Sequence, residues 1–330
     1  MRTVRHGLLL LVSVLALGVA QSAEAQWGEP MPGGQPAPVG TAPATGATTT
    51  APATTEEGPR LFAYVDIPFW LGSGDDEGST DVFVLGPTLG GRYAILPMIE
   101  AGLAWGFSYA SVSGDGTDES FGGLRGGNPY LFGHYVMRTP EMTLRVGGGL
   151  TLPLSGAPEG GDGFDEDLDA IAAALGQAYA GALYGLWNPW IWAFDRFTLV
   201  LPSASVELTG MQMLLLRAEA AMGIGFYTGD AEDVDTELVA QLAVEGGVRT
   251  DMIEAGLRLQ MVVLVTGDET DGVFIDDDDD FQSAAEAFVK VRFHPAFVRG
   301  SMLLNLDHPA GFAFDTRRVW GLHIGGGVEM

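Results

Sequence analysis

The sequence predicts an all-β chain: a transmembrane antiparallel up-and-down β-barrel of about 12 strands. Two observations of composition and one of pattern predict it. First, 47% of the 330 residues are hydrophobic while 43 are acidic, against 16 lysines and arginines. Apolar and charged character on this scale must be sorted onto separate faces. Second, after residue 20 no uninterrupted apolar stretch approaches the roughly 18 residues of a membrane helix. A chain that crosses lipid without helices must close a barrel, because every backbone N–H and C=O has to be paired inside the bilayer. Third, apolar residues recur at every second position over long segments, which is the period of a strand with two unlike faces.

Residues 1–25 read as a cleaved signal peptide. Arg2 and Arg5 form a positive start, Leu8 to Ala20 an apolar run too short to span a bilayer, and Ala23 and Ala25 a small-x-small cleavage pattern. Cleavage there makes Gln26 the mature N-terminus. It removes two arginines and one glutamate, leaving the chain one unit more acidic than its formal -27. Such acidity repels nucleic acid. The lack of cysteine excludes disulfides, thiolate metal sites and cysteine nucleophiles. Residues 26–59, rich in Pro, Ala, Thr and Gly, read as a disordered linker. Residues 60–330 read as one β-barrel domain.

The alternation is strictest in the second half of the chain. Leu238, Ala240, Leu242, Val244 and Val248 share one face, opposite Glu237, Gln241, Glu245 and Arg249. Leu257, Leu259, Met261 and Val263 oppose Glu254, Arg258 and Gln260. Leu214, Leu216, Ala218, Ala220 and Met222 oppose Arg217 and Glu219, and Ala285, Ala287, Val289 and Val291 oppose Glu286, Lys290 and Arg292. Strands of this length exceed the globular mode and suit a tilted bilayer crossing. The expected strands lie near 60–70, 81–95, 98–110, 128–138, 142–154, 197–208, 211–227, 236–249, 252–266, 281–294, 297–307 and 318–330. Short turns at 96–97, 139–141, 209–210, 250–251 and 295–296 alternate with long polar loops at 71–80, 111–127, 155–196, 228–235, 267–280 and 308–317. An even strand count places both termini on the side of the short turns, the periplasmic side in such barrels.

Residues 60–330 thereby resemble the Gram-negative outer-membrane β-barrels. Trp320, Leu322, Ile324, Val328 and Met330, spaced by twos, resemble the C-terminal strand of that class, which usually ends in an aromatic rather than a methionine. The resemblance implies an architecture, an outer-membrane location and outer-membrane lipid as a partner, and it carries no substrate.

If the apolar face meets lipid, the other face lines the lumen. Arg92, Arg145, Arg217, Arg249, Lys290, Arg292 and Arg299 then gather in the periplasmic half with Glu100, Glu207, Glu219, Glu245, Glu254 and Glu286, and Arg258 lies nearer the middle. Confined charges must be paired, so the expectation is a belt of ion pairs. It serves either as a constriction that screens small solutes or as a network that closes a narrow barrel. Ser108, Thr151, Gly223, Gly225, Val262, Ala284 and Leu303 line the outer half. Within the longest loop, the Ala- and Leu-rich stretch 167–183, capped by Asp165 or Asp167, is expected to be helical. Trp187, Trp190 and Trp192 follow it. The helix either folds into the mouth or, the preferred reading, lies on the surface with its tryptophans in the outer aromatic girdle alongside Trp70, Trp105, Tyr109 and Phe226.

The loop holding Asp268, Glu269, Asp271 and Asp276 to Asp280, and that holding Asp230, Glu232, Asp233 and Asp235, read as solvated acidic loops. They would bind divalent cations weakly at most, since no D-x-D-x-D-G pattern is present. No cofactor is implied. His134, His294 and His323 are expected to face the lumen, and neither G-x-S-x-G nor H-E-x-x-H occurs, so the chain is not expected to be an enzyme. The functional expectation is a pore or transporter for small solutes, with a closed structural or interaction barrel as the alternative. The sequence leaves the oligomeric state open.

Overall fold

The computed structural model describes residues 61–72, 80–114, 120–156, 164–211, 213–229, 236–265, 281–306 and 320–330. The signal peptide, the linker, the two acidic loops and His308 lie outside the described residues. Among the described residues, fourteen strand segments and one α-helix follow in order. They are β1 (Leu61–Gly72), β2 (Thr80–Leu85), β3 (Thr88–Leu96), β4 (Ile99–Gly114), β5 (Ser120–Gly126), β6 (Tyr130–Arg138), β7 (Met142–Thr151), α1 (Phe164–Leu183), β8 (Arg196–Leu208), β9 (Leu214–Tyr227), β10 (Glu237–Arg249), β11 (Ile253–Leu264), β12 (Phe281–Phe293), β13 (Ala296–Asn305) and β14 (Trp320–Glu329).

Every pairing is antiparallel, and the sheet closes on itself where β1 meets β14, from Phe62 opposite Glu329 to Phe69 opposite Leu322. β2 and β3 are two halves of one barrel strand: both pair with β1 and with β4, and the break falls at Gly86–Pro87. β5 and β6 likewise follow one another along β4, broken at residues 127–129. Counted this way the barrel has 12 strands. The two prolines at the breaks, Pro87 and Pro129, lack the N–H that a continuous ladder would use.

The faces follow the sequence pattern. Leu257 on β11 is 63% exposed on the outside, while Glu254, three residues earlier on the inside, is 1% exposed. The main departure lies in the region expected to be a loop at 111–127. β4 extends to Gly114 and β5 begins at Ser120. The glycines of Phe121–Gly126 gave this segment little strand propensity; its pairing with β4 and packing against α1 override that. In β8 the register shifts between Val200 and Ser203, around Leu201–Pro202. No described helix is long and apolar enough to cross a membrane.

Candidate functional site

The charged residues that the alternation placed on one face do meet, at the end of the barrel that holds the short turns. Glu254 accepts from Arg217 Nη1 at 2.7 Å and from Arg292, and forms an ion pair without a hydrogen bond with Arg249 Nε at 3.4 Å. Arg217 also reaches Glu207 at 3.1 Å and Glu245 at 2.7 Å, and Arg249 reaches Glu207 at 2.6 Å. Arg258 pairs with Glu219 at 3.0 Å and Arg299 with Glu286 at 2.8 Å. Across the barrel Glu100 takes Arg92 at 3.5 Å and Arg145 at 3.2 Å. Low dielectric makes an unpaired charge costly in such a space, and sharing carboxylates among several guanidinium groups satisfies them in the fork geometry that arginine prefers.

Two members were not foreseen. Arg138 reaches Glu100 at 2.6 Å, and Glu329 joins Lys290 and, at 3.7 Å, Arg292. Arg138 is the final residue of its strand, where alternation has no following partner to betray the face; Glu329, between Val328 and Met330, was legible by alternation and was passed over. One expected member of the inner face is corrected: His294 lies exposed in the turn between β12 and β13, because the ladder of β12 ends at Phe293.

The loop end is different in kind. The segment from α1 to Trp192 runs inside the barrel. This corrects the preferred reading of a surface helix with girdle tryptophans. α1 ends in a Schellman turn: Leu186 N–H donates to Gly181 O at 2.9 Å and Gly185 N–H to Ala182 O at 2.9 Å, with Gly185 at φ 59°. The chain then crosses from wall to wall. Tyr184 Oη donates to Gly86 O at 3.1 Å beside β2. Asn305 Nδ2 of β13 donates to Ala182 O at 2.9 Å, and His323 Nε2 of β14 lies 2.9 Å from Leu183 O. Gln260 Nε2 of β11 donates to Tyr184 O at 2.5 Å. Gln241 of β10 exchanges two bonds of 2.9 Å with Asn188. On the opposite wall Asn128, at the break between β5 and β6, donates to Trp190 O at 3.2 Å and Ala193 O at 2.6 Å and accepts from Ser155 N–H.

The tryptophans fill what remains. Trp190 and Trp192 are buried with Ile191, Ala104, Tyr130, Val200 and Ala221. Trp187 lies under the Arg258 guanidinium, 4.6 Å from its ring. Wall residues at this level are small for a steric reason: a Cβ on Gly106 would overlap the Trp192 ring, and one on Gly223 would come 2.9 Å from Trp190. Trp70 is corrected too. It faces inward and stacks on Tyr179 of α1 at 5.3 Å, whereas Tyr109 and Phe226 stay exposed on the outside as expected. Side chains of Asp165 and Asp167 lie outside the described residues.

No protein-family model matches the chain, and no curated protein matches it. Solved structures do. An outer membrane channel from Pseudomonas putida F1 superposes with a TM-score of 0.50 at 11% identity, covering 85% of this chain and 100% of that one. The fold is that of a bacterial outer-membrane β-barrel. The beta domain of the Bordetella autotransporter Brka (TM-score 0.40, 13% identity, 82% of this chain and 100% of that one) and the translocator domain of the autotransporter NalP from Neisseria meningitidis (0.40, 8%, 84% and 90%) also match. At these identities the likeness concerns the fold alone.

Proposed function

We propose that the chain is an outer-membrane pore for small solutes whose lumen is closed at its outer end by the inserted segment 164–193. Solute passes when that segment shifts, and the paired belt on the periplasmic side sets which solutes follow. The observation that carries the reading is the contrast between the two halves of the lumen. Around the inserted segment the inward side chains are packed and apolar or hydrogen-bonded. Below it the belt is wet in part: the side chains of Arg92 and Arg299 are each 34% exposed and that of Glu219 is 36% exposed, although all face inward, while Glu100, Glu245, Glu254 and Glu286 are buried beneath their arginines. A barrel built only as a scaffold gains as much from apolar filling as from enclosed ion pairs, or more. The outward apolar face is matched to outer-membrane lipid.

A second reading has an observation in its favour. The inserted segment is bonded to walls on all sides, which suits a permanently closed barrel that displays its outer loops to a partner. Liposome swelling separates the two. Proteoliposomes holding a variant with residues 164–193 replaced by a short Gly–Ser linker should swell in small neutral sugars much faster than those holding the full chain. Swelling of the linker variant no faster than that of empty liposomes, with the barrel folded by circular dichroism, would leave the closed-barrel reading.

A further inference from the structure

The belt is not evenly balanced around the barrel. On the wall from β8 to β14, six cationic side chains face six carboxylates, each within an ion pair. On the wall from β3 to β7, Arg92, Arg138 and Arg145 share the single carboxylate of Glu100. Among the described residues of the belt, that sector therefore holds an excess of two positive charges facing the lumen, in a chain whose overall charge is -27.

The guanidinium groups are held in a way that leaves donors over. Arg138 is engaged through both terminal nitrogens, with Nη2 on Glu100 Oε1 and Nη1 donating to Pro97 O at 2.8 Å. Arg92 and Arg145 both approach Glu100 Oε2 through Nε alone. Their terminal nitrogens have no acceptor among the described residues. Arg92 lies on the Phe62 ring, 4.7 Å from its centroid, which fixes the plane of the fork, and its side chain is 34% exposed to the lumen. Glu100 is 3% exposed and so shielded from solvent by the groups it anchors.

We propose that Arg92 and Arg145 form a binding subsite for a small oxyanion, a carboxylate or a phosphate, reached from the periplasmic end of the lumen. Two adjacent forks with unused N–H pairs suit the paired oxygens of such an anion, and the local charge excess draws anions in against the negative charge of the rest of the chain. This rests on the pore reading for its role in transport, but not for binding, because the subsite lies below the inserted segment and opens to the turn end whether or not solute passes.

The test is titration calorimetry on the full-length, detergent-folded protein with succinate and, separately, inorganic phosphate, using neutral succinamide as the control. Saturable heat is expected from at least one anion and none from succinamide; which anion binds tells a carboxylate site from a phosphate one. The double variant R92Q/R145Q, which keeps Arg138 on Glu100, should weaken binding at least tenfold. E100Q, which frees both Nε groups and adds to the positive excess, should tighten it several-fold; if E100Q does not fold, the double variant decides. No saturable heat from either anion, or unchanged affinity in R92Q/R145Q, overturns the proposal. Loss of solute passage with succinate binding intact would remove the pore reading and leave the subsite standing.

Discussion

Glu254 is the most deeply buried carboxylate of the belt: 1% exposed and ion-paired with arginines on β9, β10 and β12. Its replacement by glutamine strands guanidinium charge in a confined space, so E254Q should cost about 3 kcal/mol. E219Q, at a side chain 36% exposed, should cost about 1 kcal/mol or less. Guanidinium unfolding of the detergent-folded barrel reads both; equal losses would contradict the burial argument. The sequence placed both residues on the inner face, because each stands between apolar neighbours, Ile253 and Ala255 for one and Ala218 and Ala220 for the other. Tyr184 was not legible in that way. Burial, reinforced by Asp66, pushes its phenol well above its ordinary value of 10.0. A raised acid favours the folded state while protonated. Its contribution is complete below the unfolded pKa and is lost as pH rises through the folded one. Unfolding midpoints should therefore hold between pH 7 and about pH 9 and then fall more steeply for the wild type than for Y184F. Identical alkaline profiles would show that this phenol is not buried in the folded state.

The inserted segment is the element that sequence reasoning placed on the wrong side of the wall. Its helix was anticipated from an Ala- and Leu-rich run, and α1 covers Phe164–Leu183. An apolar helix followed by tryptophans fits a lipid interface as well as it fits a protein interior, and composition does not separate them. What separates them is distributed over the barrel: Gly106 on β4, Ala221 and Gly223 on β9, and Ala284 on β12 are small where the segment passes. Their shared purpose appears only once strand register brings them to one level. The strand breaks at Gly86–Pro87 and at Asn128 belong to the same device, since both present backbone or amide groups to the segment. A valine at Gly106 meets the Trp192 ring, and such overpacking costs about 1–3 kcal/mol. G106V should displace residues 189–193 and raise acrylamide quenching of tryptophan fluorescence while the barrel's circular dichroism stays unchanged. Unaltered quenching would mean that Trp192 does not occupy that space.

At the scale of the molecule, the 12-stranded closure and the segregation of short turns from long connections were legible, because period-two alternation survives over strands as long as the 14 residues of β9. The two halves of the lumen then divide the work. A packed outer half holds an inserted segment by hydrogen bonds and aromatic contacts, and a partly wet half holds shared ion pairs with a cationic sector. If passage is governed by the first and filtered by the second, the balance of the two should be visible in current. Single-channel recording of the full-length protein in planar bilayers is the most direct test. The expected record is a mostly silent barrel with brief openings, longer openings in G106V, and a steady current when residues 164–193 are replaced by a short linker. A steady current of the same size in the full-length protein and in the linker variant would contradict it.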